Sequence, residues 1–70
     1  MNRVEAIQQY LWGMKAKHEA NFLLLMENPR PIPEHTDFIE AVISELEGVA
    51  KYDELLQNFG RLIEENEDGD

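Results

Sequence analysis

The stretch Asn28-Pro29-Arg30-Pro31-Ile32-Pro33-Glu34-His35-Thr36 sits in the middle of a 70-residue chain and sets three prolines at alternate positions. Each proline pushes the residue before it out of the helical region, so a helix arriving from the N-terminal side has to stop near Glu27 or Asn28. Alternate spacing differs from the three-residue repeat of a PxxP ligand. The segment is also too short to be a linker between domains. It reads as a stiff corner, residues 28–36, between two helices.

The flanks agree with that reading. Over residues 3–27, apolar side chains recur at Val4, Ile7, Leu11, Met14, Phe22 and Leu25, in steps of three and four with a gap at His18. That spacing marks one face of a helix. Asn2 stands where an N-cap belongs, with Glu5 three residues on, as in a capping box. Over residues 37–63 the pattern returns at Ile39, Val42, Leu46, Val49, Tyr52, Leu56, Phe59 and Ile63. Thr36 is placed to cap this second helix, with Asp37 and Glu40 favoured by the macrodipole of its first turn. Pro33 allows an earlier start. Beyond Gly60 the acidic end, residues 64–70, has no apolar anchor and is expected to fray as a flexible tail. The fold class is therefore all-α, an antiparallel two-helix hairpin.

A single hairpin is not enough. Phe22, Leu23, Leu24, Leu25 and Met26 are consecutive, and five helical positions turn through about 400°, so they point all round the axis. A helix apolar on all sides asks to be covered on all sides. Phe38, Ile43, Leu55 and Leu62 widen the apolar face of the second helix as well. A chain this short, without a single cysteine, cannot be stapled by disulfides or thiolate-bound metal, which leaves association as the available remedy. The expected assembly is a homodimer forming a four-helix bundle. Because the second helix is acidic, the expected dimer centre is the first helix, at Leu11, Met14, His18, Phe22 and Leu25, with Arg3, Lys15 and Lys17 turned toward acids of the second.

Charge bounds the function. The net charge is −9. Residues 1–33 carry a net +1, while residues 34–70 carry twelve acids against Lys51 and Arg61, a net −10. Such a surface repels phosphates, so direct nucleic-acid binding is not expected. The N-terminal stretch lacks the apolar core and small-residue cleavage site of a secretory signal, and no apolar run approaches the length of a membrane span. A soluble, cytoplasmic protein with no membrane partner is the expectation.

Signs of catalysis are missing. The chain has one serine, Ser44, no glycine-rich phosphate loop, and no nucleophile beside a base. Neither His18 nor His35 has a glutamate three positions before it, so the Glu-x-x-His pattern of di-iron bundles is not met. Glu45 and Tyr52 share a helical face but lack the matching histidine. No enzyme activity, cofactor or metal is expected. His18 is read as a packed or register-setting residue, with a pH switch as its functional alternative.

What remains is a small acidic interaction module, an oligomeric adaptor, regulator or inhibitor that occupies another protein's surface. Its expected contacts are Trp12, Arg30, His35, Glu40, Glu47, Asp53 and Glu54. One alternative is a nucleic-acid mimic whose acids, Glu45 among them, block a basic DNA- or RNA-binding protein. Another is a purely structural subunit that binds only itself.

Overall fold

A computed structural model describes residues 2–27 and 35–68, with the surroundings of side chains at 2–27 and 37–66. It contains two helices, α1 (Arg3–Glu27) and α2 (His35–Asp68), packed against each other. The pairing is antiparallel. Lys15 of α1 meets Asp53 of α2, and His18 and Asn21, later in α1, both meet Glu45, earlier in α2.

The bounds of α1 are those that the sequence pattern predicts. Its start is capped as expected: the backbone N–H of Glu5 donates to Asn2 Oδ1 at 2.8 Å. The corner prolines lie outside the described residues. α2 departs from expectation at both ends. It begins at His35, so Thr36 lies inside the first turn rather than capping it, closer to the earlier start that Pro33 permits. It also continues through Glu64–Asp68, past the end of the apolar stripe at Ile63. Local terms account for the extension. Glutamate is a good helix former, and Arg61 holds Glu65 at 3.2 Å one turn on and Asn58 at 3.4 Å one turn back. Gly60 does not break the helix; no described glycine has positive φ.

The hairpin is long and thin, 57 × 21 × 13 Å. Its Cα radius of gyration is 16.4 Å, where a compact domain of this length has about 11 Å. The inward residues, Leu11, Met14, Phe22 and Leu25 of α1 with Val42, Val49, Leu56 and Ile63 of α2, are half-buried. Among the described residues none is fully buried. Two helices meeting along one line give each side chain a neighbour on one side only.

Candidate functional site

The most specific contact of the hairpin is built around His18. Its Nδ1 lies 2.7 Å from Glu45 Oε1. An ionised carboxylate can only accept, so Nδ1 carries the proton and donates. Asn21, one turn further along α1, donates to the same carboxylate oxygen at 3.4 Å. The imidazole stacks on Tyr52, with centroids 5.8 Å apart and planes 18° from parallel. Beneath the ring lies Gly48: a Cβ there would come within 2.5–2.6 Å of the imidazole atoms. Glu45, Gly48 and Tyr52 fall at i, i+3 and i+7 on one face of α2, so α2 presents one histidine-shaped seat.

The absence of a side chain at Gly48 leaves room for the His18 ring. Glu45 and Tyr52 share a face because both hold His18. The hydrogen bond from His18 lowers the pKa of Glu45 below its ordinary value, helped by Asn21 and Lys17 and opposed by burial. Glu45 is therefore held inside the seam and does not belong to an outward acidic surface.

A second lock lies three residues earlier in α1. Lys15 Nζ donates to Asp53 Oδ1 at 3.0 Å, and Gln57 donates to the other oxygen at 2.9 Å. Asp53 raises the Lys15 pKa above the usual lysine value, against a lowering by burial. The ammonium also lies 5.4 Å from the centroid of Trp12, within cation–π range. Of the three cations expected to face α2, Lys15 makes that ion pair; among the described residues none is formed by Arg3 or Lys17. Asp53, expected to meet an outside partner, has its carboxylate engaged within the chain.

The other expected contacts divide clearly. Leu11, Met14, His18, Phe22 and Leu25 owe their half-buried state to α2 of the same chain. Glu40, Glu47 and Glu54 are exposed, and their seven-residue spacing lines them along the face of α2 turned away from α1. Trp12 is 60% exposed. Arg30 and the surroundings of the His35 side chain lie outside the described residues. Among the described residues no cluster of His, Asp and Glu could hold a metal ion, and no helix is long and apolar enough to cross a membrane. Comparison with protein-family models, with curated proteins and with solved structures finds no match.

The seat gives a sign reversal among the glycines. An alanine in a helix interior is favoured over glycine by about 1 kcal/mol, and a Cβ at Gly13 or Gly60 would meet nothing within 4 Å. Gly13→Ala and Gly60→Ala should raise the unfolding midpoint. Gly48→Ala should lower it, because the His18 ring must leave its seat, and His18→Ala should relieve that penalty in the double variant. Denaturant titration of the unaltered protein, the three glycine variants, His18→Ala and the double variant reads the pattern.

The Glu45 shift fixes a pH dependence as well. A carboxyl whose folded pKa lies below its unfolded value adds stability above the unfolded value, near 4.5, and loses it as pH falls through the folded one. Acid titration of the helical signal should therefore show a stability loss below that pH, and Glu45→Gln should flatten it.

Proposed function

We propose that this chain is a small acidic helical interaction module that pairs with a second copy as a four-helix bundle and works by docking on another protein. The observation that carries the reading is the shortage of burial. Among the described residues, eleven large hydrophobic side chains are 39–63% exposed, Tyr10, Trp12, Leu24 and Leu62 among them. Exposed large hydrophobic side chains in such number accompany sites of association.

The acidic stripe supplies the second half of the reading. Glu40, Glu47 and Glu54 point away from α1 and stay free when the hairpin forms. A row of carboxylates steers a basic partner toward that face and repels an acidic one. The module so described occupies a surface; catalysis has no part in it.

The same stripe favours a second reading, nucleic-acid mimicry, in which Glu40, Glu47 and Glu54 stand in for phosphates against a basic DNA- or RNA-binding protein. Glu45 and Asp53 drop out of that role, since His18 and Lys15 hold them. Salt separates the readings. At physiological ionic strength charges are screened beyond about 8 Å, and at 1 M beyond about 3 Å. Native mass spectrometry of the protein drawn from its own cells gives its copy number and any companion mass. Docking through apolar side chains predicts a companion retained at high salt, whereas mimicry predicts one lost as salt is raised. A monomer without a companion at any salt would refute both.

A further inference from the structure

The exposed hydrophobics are not spread evenly round the hairpin. Glu19, Phe22 and Leu23 of α1 and Leu46 and Val49 of α2 line a groove of about 430 Å³ along one broad face. Met26, one turn beyond Leu23, and Ile39 and Ile43, two turns and one turn before Leu46, extend the same side toward the corner. Leu23, Met26, Ile39, Ile43 and Leu46 are each 44–54% exposed. The opposite broad face is a weaker candidate. There Leu24, Leu55 and Leu62 are interspersed with Lys17 and the His18–Tyr52 stack.

We infer that this groove face, centred on Leu23 and Leu46, is where a second copy of the chain docks, across a two-fold axis. The inference deepens the self-association proposed above and rests on it. Two observations point to a second copy as the occupant.

The first is area. A compact folded monomer of this mass exposes about 4,500 Å², while the hairpin exposes 5687 Å². The surplus is about 1,200 Å², of the order that one standard interface removes from each partner, about 800 Å². One contact of ordinary size therefore brings the chain near the surface of a stable domain.

The second is charge. With a net charge of −9, two copies repel over most approaches. The outward stripe of Glu40, Glu47 and Glu54 excludes pairing through the back of α2. Among the groove-lining residues only Glu19 is charged, and Lys15, one turn before it, interacts with it favourably. The groove lining is thus a patch on which two acidic chains can meet with little charge opposed, and Asp53, one turn beyond Val49, has its charge paired with Lys15. A two-fold contact is also self-complementary, so the ridge of Leu23 and Met26 on one copy meets the Leu46 side of the other. Phe22, at the groove floor, then packs against both its own α2 and the partner. The remaining four residues of the expected dimer centre serve the seam within each chain.

Because the chain has no cysteine, single thiols can be introduced without background. Sedimentation equilibrium of the unaltered protein comes first. A monomer at all concentrations would overturn self-association itself and the docking face with it. If a dimer forms, Leu23→Cys and Leu46→Cys are compared with Leu24→Cys and Leu55→Cys for alkylation by a small maleimide, each checked for helicity. At a concentration where about nine-tenths of the chain is dimeric, mass action predicts alkylation at positions 23 and 46 slowed about ten-fold, with protection lost on dilution. Positions 24 and 55 should react at the same rate throughout. Met26→Cys gives the same reading should Leu23→Cys fail to fold. Protection at 24 and 55 instead, or at all positions alike, or at none of them, would leave the dimer standing and refute the groove face.

Discussion

Two helices packed side by side touch along a line, and a line of contact leaves most of each cylinder in water. Everything else in this molecule follows from that geometry. α1 and α2 meet along nearly the whole of α1, yet no described side chain becomes fully buried. Hydrophobic burial scales with area removed from water, and the seam leaves eleven large hydrophobic side chains among the described residues well exposed. These exposed apolar side chains stand on both broad faces of the hairpin, Leu23 and Leu46 on one, Leu24 and Leu62 on the other.

Within the seam, specificity comes from polar contacts in place of a packed core. His18 enters a gap that only glycine leaves open, stacks on Tyr52, and donates to Glu45. Lys15 and Asp53 repeat the pattern three residues earlier in α1. Both locks join residues more than twenty positions apart in sequence. Together they fix which residue of α1 faces which residue of α2, something a stripe of interchangeable leucines cannot do. They also divide the acids of α2 into two sets. The carboxylates of Glu45 and Asp53 are engaged by α1, while Glu40, Glu47 and Glu54 are exposed on the side of α2 away from it.

Much of this was legible in the sequence, for physical reasons. Proline stops a helix through its own ring, so the end of α1 at Glu27 follows from Pro29 alone. The apolar stripes give both helices because their period is local. The limits of α2 were harder. Arg61–Glu65 and the intrinsic helicity of glutamate carry it past Ile63 without any apolar residue, and a search for apolar spacing does not see them. The site was legible only in pieces. The gap at His18 in the stripe of α1, the glycine at 48, and the shared face of Glu45 and Tyr52 are each visible, but nothing in the sequence says that they meet. Their encounter depends on the register between helices, a property of neither helix alone. The stripe of Leu11, Met14, Phe22 and Leu25 is likewise visible in the sequence, but which partner half-buries it depends on the fold of the whole chain.

The central claim is that this hairpin reaches full stability only with a second copy. Thermal unfolding followed by helical circular dichroism, over about a hundred-fold range of protein concentration, tests it without any substitution. If folding and association are coupled, the midpoint rises steadily with concentration. A cooperative transition whose midpoint stays the same across the whole range would contradict the account, because it would mean that one seam of two helices is stable by itself.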